Sequence, residues 1–111
     1  MTDYKYSAHV DKVYDGDTIT VSIDCGFGII LNKQKIRLWG INTPEVRGEE
    51  REAGLISRDK LREKILGKDV VLNTIKDKKG KYGRYLGIIY YEGENINEWL
   101  VKNGLAKTAN Y

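Results

Sequence analysis

Three short stretches of the sequence carry polar side chains at spacings that could do chemistry. They are DGDT at residues 15–18, RLWGINTPE at residues 37–45 and KYGR at residues 81–84. The first two supply carboxylate, amide and backbone carbonyl oxygens, which are the ligands that Ca²⁺ and Mg²⁺ prefer. The last two supply arginines, which match the charge of a phosphoryl group and grip it with forked hydrogen bonds. This combination contains the parts needed for in-line attack of water on a phosphodiester.

The second stretch contains the only proline of the chain. Arg37 lies in an apolar run of strand character, and Pro44 stiffens the turn that carries the carboxylate of Glu45. A carboxylate held in this way can orient or deprotonate a water molecule. We interpret the corner as a rigid holder that keeps a base and a metal ligand at a fixed distance from a phosphate within reach of Arg37.

Each stretch taken alone also has a purely structural interpretation. Asp-Gly-Asp is a common turn, and KYGR could be a solvated loop. Arg37 could be a cation at a strand edge that reaches out to water, and NTPE could be the cap of a following helix. Only the complete set of residues favours a chemical site over these structural roles.

Composition and charge set the bounds of the prediction. The chain has 111 residues, 41% of them hydrophobic, which predicts a single globular domain over residues 1–111. The net charge of +3 permits a polyanionic partner without requiring one. The single cysteine, Cys25, excludes an internal disulfide and a multi-cysteine metal cage, and the single histidine, His9, argues against a histidine-based metal site or triad. With no apolar span or signal pattern, we expect a soluble, cytoplasmic monomer that does not bind membranes, secretion being possible only if a leader was removed.

The elements that must position these side chains follow from the hydrophobic pattern. Five strands are predicted, in the segments HVDKVY and TITVSID, which meet at Asp15-Gly16, and in KQKIRLWG, KDVVLNTI and YLGIIYY. CGFGIILN and KDKKGKYGR are predicted as loops. Three strands, a helix, two strands and a helix are typical of a mainly β (α+β) fold, a five-stranded OB-type Greek-key barrel with two helices.

Two helices are predicted within this order. GEEREAGLISRDKLREKILG is acidic at its start and basic near its end, as the helix dipole favours. Its buried face is predicted to consist of residues at four-residue spacing, with Leu55, Ile56 and Leu66 widening it: Ala53, Ser57, Leu61 and Ile65. The second helix is NINEWLVKNG, in which Asn95 and Glu98 fit a capping box.

With these motifs in place, the chain is similar to the staphylococcal nuclease (thermonuclease) family. The resemblance extends from about Val10 to Lys107, with DGDT, IRLWGINTPE, KYGR and NEWLVKNGLAK in the order and approximate spacing of the family. It implies the OB-type barrel already derived. It also implies hydrolysis of single-stranded DNA and of RNA that depends on one Ca²⁺ ion and leaves 3′-phosphates.

The resemblance implies roles for five residues at the reacting phosphate. Arg37 and Arg84 match the two phosphate-binding arginines of the family, and Glu45 matches its proposed general base. Lys81 and Tyr82 match residues that contact the terminal phosphate and the base side of the nucleotide.

The resemblance also implies a calcium site. Asp17 matches the metal-binding aspartate of the first hairpin, Thr43 matches a residue that offers its backbone carbonyl, and Asp15 matches an acid just outside the ligand set. Asn42 stands where the best-known enzymes of the family have a second aspartate. Since an amide oxygen still binds Ca²⁺ but carries no charge, we expect a weaker metal site.

Two other function classes compete with a nuclease. An OB barrel could hold single strands through its basic loop and tyrosines without cutting them. A structural or protein-interaction domain on a decayed nuclease scaffold is the third possibility, and within the predicted site only Asn42 supports it. The set of Arg37, Glu45 and Arg84 favours the enzyme, because strand binding has no use for a fixed carboxylate that repels a phosphate.

Overall fold

The computed structural model describes residues 4–79 and 84–109 of the chain. The five predicted strands and two predicted helices follow one another in the predicted order. A short 3-10 turn, Gly48–Glu50, precedes the first helix. The elements are β1 (Tyr4–Asp15), β2 (Thr18–Asp24), β3 (Ile30–Leu38), β4 (Ile41–Asn42), α1 (Arg51–Ile65), β5 (Asp69–Lys79), β6 (Tyr85–Tyr91), β7 (Glu94–Asn95), α2 (Ile96–Lys102) and β8 (Lys107–Thr108).

Five of the strands form a closed barrel. Antiparallel pairing runs in the order β3-β2-β1-β5-β6, and a parallel pairing of β3 with β6 closes the ring. In that closing seam Ile36 is opposite Tyr85 and Leu38 is opposite Gly87. The predicted mainly β, OB-type barrel with two helices is therefore confirmed.

The barrel interior is filled by alternate residues of these strands. Its fully buried side chains include members of every barrel strand and of both helices: Val10, Val13, Ile19, Val21, Ile36, Leu38, Leu61, Ile65, Leu72, Ile89, Ile96 and Leu100. Gly87 lies inside the seam, where a Cβ would come within 2.6 Å of the side chain of Leu72. The barrel can close at this point because Gly87 has no side chain.

Asn97 fastens α2 to the seam. The buried amide oxygen of Asn97 accepts a hydrogen bond from the backbone N–H of Ile89, and its Nδ2 donates to the carbonyls of Trp39 and Gly87. Asn95 caps the helix by accepting from the N–H of Glu98 at 3.0 Å, as the capping-box pattern predicts.

Several predicted boundaries differ from the structure. β1 begins at Tyr4 rather than His9, and β3 begins at Ile30, inside the segment predicted as a loop. β5 continues to Lys79, so the first part of the predicted basic loop is strand. The two-residue strands β4, β7 and β8 were not predicted, since a periodic pattern needs a longer run.

The buried face predicted for α1 is wrong in part. Ser57, Leu61 and Ile65 are buried as expected, but Ala53 is exposed and Gly54 is buried in its stead. Ile56 is 55% exposed and Leu66 is 42% exposed, so neither widens the face as predicted. The fourth contact of the helix is made by its backbone at Gly54, and hydropathy patterns do not detect such a contact.

Within the described part of the chain, no helix combines the length and the apolar composition that crossing a membrane requires.

Candidate active site

Seven of the nine predicted site residues line one cavity of about 630 Å³. They come from the β1–β2 turn, the end of β3, the corner after β4 and the residue before β6: Asp15, Asp17, Arg37, Asn42, Thr43, Glu45 and Arg84. The other two, Lys81 and Tyr82, lie outside the described residues. The structure therefore brings together side chains from four separate parts of the sequence, while their roles remain predictions.

Asp17 connects the hairpin to the corner. Its carboxylate accepts a hydrogen bond from the backbone N–H of Thr43 at 3.0 Å and lies 3.4 Å from a guanidinium nitrogen of Arg37. The side chains of Asp17 and Arg37 are each only 12% exposed. An ion pair this well shielded from water is held more firmly than a surface pair.

Arg37 is oriented from two further directions. One terminal nitrogen donates to the carbonyl of Leu38 at 2.8 Å, and the other donates to the amide oxygen of Asn42. The predicted metal ligand Asn42 thus also orients the guanidinium in this arrangement.

Arg84 reaches the same acid through a hydroxyl. Its Nη1 donates to Thr18 Oγ1 at 3.3 Å, and the Thr18 hydroxyl donates to Asp17 Oδ1 at 3.3 Å. Both predicted phosphate-binding arginines are therefore linked to Asp17, one directly and one through Thr18.

Glu45 differs from the other acids of the cavity. Its backbone N–H donates to the carboxylate of Glu50 at 3.2 Å, which fixes the main chain. Glu45 is exposed, and within the described residues its own carboxylate makes no hydrogen bond or ion pair. A carboxylate on a fixed backbone with its oxygens available can accept a proton from water.

Two glycines allow the corner to be clamped between the hairpin and α1. A Cβ at Gly16 would come within 2.7 Å of Thr43 Cγ2, and one at Gly54 would overlap the backbone carbonyl of Glu45. The hairpin tip and the helix backbone therefore both touch the corner directly. These two contacts restrain the corner, whose rigidity was predicted from Pro44 alone.

The two acids of the hairpin tip, Asp15 and Asp17, lie close enough for their negative charges to repel each other. The pKa of Asp15 is raised from its ordinary value of 3.8 to about 6, chiefly by burial and in addition by the side-chain hydrogen bond and the negative charge of the neighbouring Asp17. Two close carboxylates of this kind favour a proton or a cation between them.

The donor chemistry of the cavity fits a hard cation. Among the residues described, no three His, Cys, Asp or Glu side chains group into a metal site. The predicted ligands that line the cavity are one carboxylate, Asp17, and the neutral oxygens of Asn42 and Thr43. Thr43 Oγ1 is buried beside them and has no hydrogen-bond partner in the described structure. Such an all-oxygen set with little charge suits calcium bound weakly and does not suit a soft transition metal.

Sequence reasoning missed several residues that line the cavity. Tyr14 and Arg47 border it, and the guanidinium of Arg47 donates to the Tyr14 hydroxyl at 3.2 Å. Tyr14 could have been found from strand alternation, because it faces outward next to Asp15. Leu105 and Lys107 come from the far end of the chain, and no local signal indicates them.

Comparison with known proteins places the chain among nucleases in sequence similarity. The model of the family described as staphylococcal nuclease homologue matches residues 35–111. The chain is 32% identical over 105 residues to a thermonuclease of Staphylococcus hyicus, covering 92% of this chain and 59% of that protein. It is 33% identical to an uncharacterized endonuclease of Haemophilus influenzae (92% and 52%) and 30% identical to endonuclease YncB of Bacillus subtilis (90% and 46%). The chain thus spans about half the length of the curated relatives it matches.

The clamp at Gly54 predicts an unusual sign for one substitution. In a helix interior Gly→Ala normally stabilises by about 1 kcal/mol. Here Gly54→Ala should destabilise by roughly 1–3 kcal/mol, because the added methyl group must push the corner away from α1. Urea unfolding measures the change, and Glu63→Ala, at an exposed site of the same helix, is the control expected to be nearly neutral. A more stable Gly54→Ala protein would contradict the close approach.

The raised pKa of Asp15 predicts a pH-dependent stability in the presence of a chelator. Because the folded state favours the protonated carboxyl, that contribution is complete below about pH 4 and is lost as the pH rises through about 6. Asp15→Asn imitates the protonated form, so it should raise the melting temperature at pH 7 and change it little at pH 4. The exposed Asp24→Asn should show no such pH-dependent gain. Thermal melts across this range test the idea, and an equal effect at both pH values would refute it.

Proposed function

The chain belongs to the staphylococcal nuclease family, and on this basis we propose that it is a calcium-dependent nuclease that hydrolyses phosphodiester bonds of single-stranded DNA and of RNA. The observation that carries the proposal is the convergence of Arg37, Glu45 and Arg84 with Asp17 on one cavity. Two arginines and an available carboxylate around a space that admits a phosphate are what such a reaction needs.

In the proposed reaction Glu45 accepts a proton from water. The water oxygen forms a bond to phosphorus, and the bond from phosphorus to the 5′ oxygen breaks. The products are a 3′-phosphate and a 5′-hydroxyl, the leaving oxygen taking its proton from solvent. Arg37 and Arg84 stabilise the charge that grows on the phosphoryl oxygens, and their links to Asp17 hold them in place without reorganisation.

The proposed calcium ligands are the carboxylate of Asp17, the backbone carbonyl of Thr43 and the amide oxygen of Asn42, with Asp15 just outside them. When bound, calcium supplies Lewis-acid stabilisation of the phosphoryl oxygens. The buried, unpartnered Thr43 hydroxyl and the raised pKa of Asp15 support a cation here, since both are features that a cation would relieve.

The alternative is a barrel that binds single strands without cutting them. A binding surface gains nothing from the Glu45 carboxylate, which would repel the phosphate that the arginines attract. The nuclease is therefore the better account of this cavity.

Glu45→Gln tests the base. Glutamine keeps the shape but accepts no proton, so kcat should fall by about a hundred- to ten-thousand-fold while oligonucleotide binding changes little. Cleavage of a single-stranded oligonucleotide with calcium, and its binding measured with calcium under conditions of no turnover, give the two numbers. Glu49→Gln carries the same change at an exposed residue outside the cavity and should be as active as wild type. Full activity in Glu45→Gln would remove this residue from the mechanism.

Arg84→Lys tests fork geometry against simple charge. Lysine keeps the charge but loses the planar fork, so kcat should fall by about a hundred- to a thousand-fold, as for one oxyanion-type donor. Arg58→Lys is the matched control, because Arg58 pairs with Asp59 on α1. Arg62, the other arginine on the charged side of α1, is unsuitable as a control because its guanidinium donates hydrogen bonds to the carbonyl of Val13. Equal rates for Arg84→Lys and Arg58→Lys would support mere attraction of polyanions and the binding-module alternative.

Asn42→Asp tests the metal site without relying on activity. A second charged ligand should tighten calcium binding about tenfold, which isothermal titration calorimetry measures directly. Asn32→Asp adds the same charge at an exposed position of β3 outside the cavity and should leave the affinity unchanged. If the two variants bound calcium equally, Asn42 would not belong to the ligand set.

A further inference from the structure

A second cavity of about 590 Å³ continues from the candidate active site across the outer face of β1, β2 and β3. The two cavities share Tyr14, Asp15 and Arg84 as lining residues, so they form one continuous depression. The residues that belong to the second cavity alone are Lys12, Thr20 and Lys35, with Thr18 at its inner end. None of the first three was predicted to have a role.

Strand register explains why these residues lie beside the active site. Lys12 is opposite Thr20, and Thr20 is opposite Lys35, so the three form a row across the sheet. The preceding row on the same face is Asp15, Thr18 and Arg37, which borders the active-site cavity. Rows two residues apart along a strand are separated by roughly 7 Å. A chain that leaves the phosphate at Arg37 therefore meets the lysine row next.

The charge of this row is available to a ligand. Lys12 and Lys35 are exposed, and within the described part of the chain neither makes an ion pair. Three basic residues of α1 differ, because Arg58, Lys60 and Lys64 each pair with an acid. Among the described residues that line this second cavity, Asp15 is the acid, and it also borders the active-site cavity.

Tyr14 stands between the two cavities. It is 47% exposed, and Arg47 holds its hydroxyl at 3.2 Å, which fixes the ring at the boundary. An exposed, oriented aromatic ring beside a row of cations is the combination that single-stranded nucleic acids use, since bases stack on the ring and phosphates lie along the cations.

We propose that Lys12, Thr20 and Lys35, with Tyr14 as a stacking platform, form an extended subsite for the phosphodiester backbone of a single strand. The subsite binds nucleotides beyond the two that are joined by the bond at Arg37 and Arg84, so the preferred substrate is a single strand of several nucleotides rather than a dinucleotide. This inference extends the proposed nuclease function. It rests on that function because the position of the subsite is defined relative to the cleaved bond. Because contacts to the phosphates of a nucleic acid carry no information about its bases, this subsite does not select a nucleotide sequence.

The test compares two charge-matched double variants. Lys12→Gln with Lys35→Gln removes the subsite, and Lys68→Gln with Lys102→Gln removes the same charge from two exposed positions that make no ion pair within the described residues, one just after α1 and one on α2. Binding of a fluorescent 12-nucleotide single strand is followed by anisotropy in chelator, so that the result does not depend on cleavage. Far-ultraviolet circular dichroism and melting curves verify that both variants are folded.

The expected result is a loss confined to the subsite variant. Two lost phosphate contacts should weaken binding roughly 10- to 25-fold at 0.1 M salt and reduce the slope of log K against log salt by about 1.4. Tyr14→Leu should also weaken binding, by about fivefold or more, whereas Tyr14→Phe should retain it. With calcium, KM for the 12-nucleotide strand should rise in the subsite variant, and cleavage of a dinucleotide should be unchanged.

Other outcomes separate the two proposals. Equal losses in both double variants would show attraction to overall charge, and no loss in either would show that the strand takes another path; each overturns the subsite. A wild-type protein that binds the strand through the lysine row but cleaves nothing would refute the nuclease and keep the subsite as part of a binding module. A subsite variant that loses dinucleotide cleavage as strongly as strand cleavage would show that the lysine row is not separate from the active site, and it would overturn the subsite.

Discussion

The parallel pairing of β3 with β6 is the constraint on which the rest of the structure depends. It closes the barrel, and by setting Ile36 opposite Tyr85 it brings Arg37 and Arg84 to the same end of the seam. Closing a ring between distant parts of a chain costs loop entropy, so the seam requires support from outside the strands. Asn97 gives that support with three hydrogen bonds, and Gly87 allows the interior side chains to approach. The positions of the two arginines thus depend on a helix that contributes no lining residue to the cavity.

The corner that carries Glu45 is held rigid by contacts of its backbone. Its backbone is clamped by Gly16 of the hairpin and Gly54 of α1, and Asp17 binds the N–H of Thr43 between them. The same packing that stabilises the main chain buries Asp15 beside Asp17 and raises the pKa of Asp15. The site is therefore stabilised by backbone contacts and destabilised by its acids.

Charge is distributed unevenly over this small barrel. The net charge is only +3, and Arg58, Lys60 and Lys64 of α1 are paired with acids, whereas Lys12 and Lys35 beside the second cavity make no ion pair within the described residues. A uniform basic surface would attract any polyanion without orienting it. The arrangement found here has a direction, because the row of Lys12, Thr20 and Lys35 follows the row of Asp15, Thr18 and Arg37 across β1, β2 and β3.

The sequence by itself determined the elements that local patterns encode. Alternation gave the five barrel strands, the Asp15-Gly16 turn joined the first two, and Asn95 capped the second helix as its type and spacing predict. Motif types were also enough to nominate seven residues that the structure brings to one cavity. These successes share a cause, since turn, cap and strand preferences depend on neighbours only a few residues away.

Only the tertiary structure decided the contacts between distant residues. No pattern in the sequence indicates that Gly54 rather than Ala53 faces the corner, because a backbone contact leaves no hydrophobic signal. The link from Arg84 through Thr18 to Asp17, and the row formed by Lys12, Thr20 and Lys35, depend on strand register and barrel closure. Register is fixed by how the whole core packs, so a side chain on a predicted strand acquires its neighbours only when the barrel is complete.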